Sequence, residues 1–160
     1  MIGDEKMSIR GDKAKAYFTR GYNCAQSVLM AFSDITGLDE RNSAMLSSGF
    51  GGGMGRMREV CGAVSGMFMA ASLVSGYNDP ADLEGKKRTY QMIQTLAEKF
   101  KAQNKSIICK ELLGLEKPEG THIPEQRTAE YYKKRPCGDL VKDAAEILEE
   151  YFKSIGKIKE

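Results

Sequence analysis

Apolar residues recur along this chain at three- and four-residue spacings, and no segment alternates convincingly between apolar and polar. The pattern predicts helices. A first covers Ser8 to Thr19 and stops at Gly21. A second opens at Asn23, a good N-cap, carries Cys24, Val28, Ala31, Phe32 and Ile35 on one stripe, and ends at Gly37. Asp39 caps a short helix to Ser48. Gly49-Phe-Gly-Gly-Gly-Met-Gly55 follows, a loop that glycine alone allows. A small-residue helix runs from Met57 to Ser75. Asp79-Pro80 starts a longer one to Ala102, with Leu83, Tyr90, Ile93, Ala97 and Phe100 on one face. Cys109 opens a short turn closed by Gly114, and Leu115 to Pro124 is a loop. A polar helix is expected over Glu125 to Lys134. Pro136 begins the last, with Cys137, Val141, Ala144, Leu148 and Phe152 in line. The expectation is an all-α fold: one domain over 1–160, about six helices, and a glycine-rich loop before a buried central helix. Residues 1–7 and 153–160 are expected to fray.

Length and charge narrow the classes of function. A chain of 160 residues buries enough surface to fold without disulfides or metal. Its 24 basic and 22 acidic residues leave no electrostatic footprint for nucleic acid or an anionic membrane. Val60 to Asn78 is uncharged and nearly spans a bilayer in length, but its glycines and serines read better as a close-packed buried helix. The N-terminal residues Met1-Ile-Gly-Asp-Glu-Lys form no secretory signal, so a cytoplasmic location with reduced thiols is expected.

The candidate chemistry lies in Cys24, Cys61, Cys109 and Cys137. Cys24, Cys109 and Cys137 belong to the apolar stripes of their helices and should point inward. Cys61 sits beside Gly62, where another backbone can approach closely. Cys24 and Cys137 fall in first helical turns and Cys61 in or just after one, where the dipole favours thiolate. Arg56 and Arg58 precede Cys61, and Lys133, Lys134 and Arg135 precede Cys137. Two readings stand: a shared thiol site, or small buried side chains that only pack. There is no C-x2-C, so any metal or iron–sulfur site must be assembled wholly by the fold. The missing C-x-x-C-H excludes covalent c-type haem, and the missing C-x-x-C opposes a thioredoxin-like site. The glycine loop lacks a Gly-Lys-Ser/Thr ending and reads as a chain reversal or a close approach to the cysteines, not a nucleotide cradle. The only histidine, His122, is expected on a solvated loop.

Several blocks together resemble the C_GCAxxG_C_C family of redox-active proteins. They are Gly21-Tyr-Asn-Cys-Ala-Gln-Ser27, Gly49 to Arg56, Val60-Cys-Gly-Ala-Val-Ser-Gly66, Cys109 in Cys-Lys-Glu-Leu-Leu-Gly114, and Cys137 in Cys-Gly-Asp-Leu140. One departure is the order Cys61-Gly62-Ala63 in place of Gly-Cys-Ala. Some relatives are similar to split-Soret cytochromes c through added haem-attachment segments that this chain lacks. The resemblance implies Cys24, Cys61, Cys109 and Cys137 as site residues, with Gly62 and Gly66 as packing or access positions.

The leading expectation is a cytosolic thiol redox or electron-transfer protein with an unknown redox partner. Cys61 is its expected thiolate, Cys137 or Cys24 its resolving partner, and Gly62, Gly66 and Arg56 flank the site. One alternative is a metal or iron–sulfur module ligated by Cys24, Cys61, Cys109 and Cys137. The other is a helical interaction module with structural cysteines. A homodimer through the small-residue helix or the Leu83-to-Phe100 helix is also expected.

Overall fold

The computed structural model describes residues 9–115 and 121–159. Its helices in chain order are α1 (Ile9–Thr19), α2 (Cys24–Met30), α3 (Ser33–Thr36), α4 (Glu40–Ser47), α5 (Gly51–Met54), α6 (Gly62–Ser75), α7 (Leu83–Asn104), α8 (Cys109–Leu112), α9 (Ala129–Lys134) and α10 (Cys137–Ser154), with a 3-10 turn at Ser48–Phe50. The fold is all-α, as the periodicity predicts. The start of the first helix at Ser8 and the fraying of residues 1–7 lie outside the described residues, as do residues 116–120 of the Leu115-to-Pro124 loop.

α6 is central and packs against α2, α7 and α10, while α10 also lies along α1. The close α2–α6 crossing depends on glycine. A Cβ on Gly66 would lie 2.6 Å from the Ala25 carbonyl oxygen, and one on Gly62 would lie 3.0 Å from the Cys24 Cβ. α10 buries the predicted stripe of Val141, Ala144, Leu148 and Phe152. Phe152 meets Phe32 edge-on at 5.7 Å, worth about 0.5–1.5 kcal/mol beyond the area buried. Asn23 caps α2 through a reciprocal box: its Oδ1 accepts from Gln26 N at 2.9 Å, and its N–H donates to Gln26 Oε1 at 3.0 Å.

Several boundaries differ from the expected ones. α2 stops at Met30, and α3 then carries the chain to Gly37, left-handed at φ 78°. The small-residue helix begins at Gly62, not Met57. The preceding residues instead pair with a distant segment: Cys61 N donates to Ile107 O at 2.8 Å, and Cys109 N donates to Glu59 O at 2.6 Å. The long helix begins at Leu83, where Asp82 Oδ1 accepts from Gly85 N at 2.8 Å. It buries Gly85, Thr89, Met92, Leu96 and Phe100. Leu83 and Tyr90, placed by the sequence on one face with Phe100, are 71% and 54% exposed, because small Gly85 and Thr89 let the helix approach the core on another row. Only Ala129–Lys134 of the expected polar helix is helical, because Thr128 Oγ1 caps it by accepting from Tyr131 N at 3.1 Å. At the other end α10 continues to Ser154, and Ile158 packs against the core edge. Among the described residues no helix is long and apolar enough to cross a membrane.

Candidate functional site

Every cysteine stands at a helix start. Cys24, Cys109 and Cys137 are the first residues of α2, α8 and α10, and Cys61 is the N-cap of α6. The four side chains line one small cavity of about 60 Å³, together with Asn23, Gly52, Gly53, Arg58, Arg127 and Tyr131. The fold thus brings together four cysteines that lie 37, 48 and 28 residues apart along the chain. All four thiols are free.

Local folding explains each placement. The antiparallel pairing of Val60 with Ile108 brings Cys61 and Cys109 to the same cavity. The glycine segment is not an open loop but a run of tight turns, with positive φ at Gly52, Gly53 and Gly55. It folds directly over Cys109: a Cβ on Gly53 would lie 2.6 Å from the Cys109 Cβ and 2.8 Å from the Arg58 Cα. This is the close approach expected of those glycines. Gly62 and Gly66 work at the α2–α6 crossing and do not line the cavity. Arg58, itself left-handed at φ 60°, is buried. Its Nη1 donates to Cys109 Sγ at 3.7 Å, so it serves Cys109 and not the Cys61 it precedes.

Arg127 and Tyr131 are the site residues that sequence reasoning missed. Arg127 Nη1 donates to Phe18 O at 2.9 Å and Nη2 to Tyr22 O at 3.0 Å, and the guanidinium stacks 4.2 Å from the Phe18 ring. It thus clamps the end of α1 to the segment before α9 and places its charge beside Cys24 and Cys137. No local pattern marks it, since its partners lie more than a hundred residues away. Burial pushes the Tyr131 phenol up to about 12, so it stays protonated.

The thiols are electrostatically unequal. Cys24 and Cys137 line the same cavity, and each acts on the ionisation of the other. Interaction with the Cys24 thiol, with help from the charges of Arg135, Arg127 and Arg58, lowers Cys137 to about 7 against its burial. The same interaction raises Cys24 well above the ordinary thiol range, and burial and the Cys137 charge add to it. Cys61, the thiolate expected from the sequence, is pushed up to about 12 by burial, although the amides of Val64 and Ala63 pull it down. Burial also raises Cys109, and Arg58 opposes it. The arrangement favours ionisation of Cys137 over the other three thiols.

A second chamber of about 260 Å³ adjoins the first and shares Asn23, Gly52, Arg58, Arg127, Tyr131 and Cys137 with it. Cys137 is the one cysteine lining both. His122, exposed as expected, stands at the outer chamber with Arg56, Glu125 and Arg135.

Four thiols suit zinc or an iron–sulfur cluster by donor type. Their spacing does not: among the described residues no three His, Cys, Asp or Glu side chains are close enough to hold one ion.

The scaffold is all-α, and its helix starts bring four cysteines to the lining of one cavity. A family model described as "Putative redox-active protein (C_GCAxxG_C_C)" matches residues 22–151, and the chain belongs to that family. No curated protein and no solved structure matches it.

Proposed function

We propose that this protein is a dithiol–disulfide oxidoreductase in which Cys137 is the attacking thiolate and Cys24 the resolving thiol. The observation that carries the reading is the placement of Cys24 and Cys137 on one small cavity, with Cys137 alone of the four cysteines also lining the outer chamber. A thiolate is the species that attacks a disulfide, and Cys137 alone is held near neutrality in that form.

In the oxidising half-reaction the Cys137 sulfur attacks one sulfur of a substrate disulfide. A mixed disulfide forms, the substrate S–S bond breaks, and one substrate thiolate leaves and takes a proton from solvent. Cys24 then loses its proton to solvent and attacks the Cys137 sulfur. This forms the Cys24–Cys137 disulfide and releases the second substrate thiolate. Two electrons pass from the protein dithiol to the substrate, and an external dithiol reverses both steps to regenerate the protein. Tyr131, protonated beside the pair, can donate a hydrogen bond to a departing thiolate.

The test is to oxidise the reduced protein with a small disulfide and map the product by non-reducing peptide mass spectrometry. A Cys24–Cys137 linkage that Cys137→Ser abolishes is expected. Four thiols that stay free refute the reading. Metal analysis of anaerobically purified protein addresses the four-thiolate alternative, where stoichiometric zinc or iron would displace the dithiol reading.

A further inference from the structure

Part of the outer chamber's lining comes from the tight glycine turns, and part from residues 121–127, an irregular strap that contributes His122, Pro124, Glu125 and Arg127. Among the described residues no backbone hydrogen bond reaches from this strap to a residue outside 121–128. Its one large aliphatic side chain, Ile123, is 65% exposed and adds little burial. Side chains hold it instead. Arg56 Nη1 donates to Ile123 O, Arg135 Nη2 donates to Glu125 Oε1, and Arg56 Nη2 lies 3.7 Å from that same oxygen. A recess of about 600 Å³ lies alongside, with Leu113, Leu115 and Pro136 in its lining. It shares Glu125, Tyr131 and Arg135 with the outer chamber. The Glu125–Arg135 pair thus belongs to the wall of both spaces and partitions them.

We infer that the strap is a size filter on the dithiol site, which makes compact, low-molecular-weight disulfides its substrates. The inference rests on the dithiol reading. With the partition in place, Cys137 is reached through a chamber of about 260 Å³, just below the usual range for small-molecule sites. A disulfide within a peptide brings two backbones with it and does not fit that space. It needs the Glu125–Arg135 contact broken, so that the outer chamber and the larger recess join as one groove running to Cys137. The strap is suited to such opening. A segment without backbone ladder bonds and with little buried apolar area lies at the low end of local stability. The Glu125 side chain is 42% exposed, so water screens its ion pairs and weakens their hold. The Arg127 end is tied separately, to Phe18 O and Tyr22 O, so the Glu125 part lifts about a fixed end.

The experiment oxidises the fully reduced protein with two neutral compounds: bis(2-hydroxyethyl) disulfide, and the disulfide dimer of an uncharged decapeptide with a central cysteine. Each rate is divided by that of the same disulfide with a free small thiol, which removes leaving-group differences. Both compounds meet the same Cys137, so a change in its own reactivity cancels in their ratio. A strap open for about 0.1–10% of the time gives a wild-type ratio of about ten to about a thousand in favour of the small disulfide. Glu125→Ala should cut that ratio about five-fold, through faster reaction of the peptide dimer. Glu125→Gln, which keeps an acceptor oxygen, should cut it less. In the wild type the amides of residues 121–127 should exchange with deuterium while those of α10 are still protected. Equal normalised rates in the wild type, a ratio unmoved by both substitutions in folded protein, or strap amides as protected as those of α10 each overturn the filter and leave the dithiol chemistry standing. If neither disulfide yields a Cys24–Cys137 linkage, the dithiol reading fails and the filter with it. Should neither variant fold, the wild-type ratio and the exchange pattern decide alone.

Discussion

Replacing Cys24 by alanine removes the thiol whose interaction with Cys137 is the largest influence holding that residue at about 7. At pH 7 a thiol with that value is about half ionised, whereas an ordinary one near 8.5 is about 3% ionised, a ratio of about sixteen. Nucleophilicity falls with basicity, however, at a slope of about 0.45, which takes back about five-fold over 1.5 units. The net gain in alkylation rate at pH 7 is therefore only about three-fold, too small to be diagnostic. The midpoint of the pH–rate curve is the better measure. Iodoacetamide labelling of the Cys137 peptide, followed by mass spectrometry across the pH range, should give a wild-type midpoint near 7. In Cys24→Ala it should rise by about a unit or more toward the ordinary value. Cys24→Ser keeps a donor and should rise less. A wild-type midpoint at or above about 8.5, or one unmoved by Cys24→Ala in a folded protein, would refute the assignment of the thiolate to Cys137.

Other consequences follow from the same geometry. Arg135→Gln removes the largest arginine charge acting on Cys137 and should raise the same labelling midpoint by about half a unit, with circular dichroism unchanged. Gly66→Ala forces a methyl to within 2.6 Å of the Ala25 carbonyl and should cost about 1–3 kcal/mol or more, read as a lower urea midpoint. Asp82→Ala deletes the α7 cap and should cost about 1 kcal/mol in the same assay. Stability should also depend on pH with two opposite signs. Between about 7 and about 8.5 the unfolded Cys137 binds more protons than the folded one, so its contribution grows as pH rises. From about 8.5 up to about 12 the folded Cys61 keeps a proton that the unfolded chain releases, so stability falls, and Tyr131 adds to the fall above about 10. A urea midpoint that keeps rising above about pH 9.5 would contradict the burial of Cys61.

What the sequence revealed depended on how local the cause was. The Asn23 cap, the left-handed Gly37 and the α10 stripe from Val141 to Phe152 are each set within one or two turns, and they were legible. The start of α6 was not, because Glu59–Cys61 is held extended by Ile107–Cys109, about 48 residues on, and a pairing of that range leaves no periodicity to read. The buried row of α7 was not evident because Gly85 and Thr89 carry little apolar weight. Thr89 enters the core with its hydroxyl donating to Gly85 O at 2.8 Å. At the site, inward thiols followed from the stripes. Arg127 did not, since its carbonyl partners Phe18 and Tyr22 lie on another helix and its connection.

The helix dipole, which made first-turn cysteines look like thiolates, turns out not to decide which one ionises. All four stand at helix starts, yet three of the four are raised. A dipole contributes about 0.3–1 kcal/mol, less than one pKa unit, whereas burial moves a group by up to about 3–5 units. Desolvation therefore wins at Cys61, despite the amides of Ala63 and Val64. Cys137 escapes because the Cys24 thiol and three guanidinium charges favour its ionisation. In the proposed dithiol cycle this dependence also orders the steps. While Cys137 is a thiolate, its interaction with Cys24 and its charge hold the proton on Cys24. Once Cys137 is tied up in a mixed disulfide, its hydrogen-bonding and charge effects on Cys24 are both gone, which leaves burial to raise Cys24 and the charge of Arg127 to pull it down. In the proposed cycle the resolving thiol is thus eased toward ionisation by the step that creates its target.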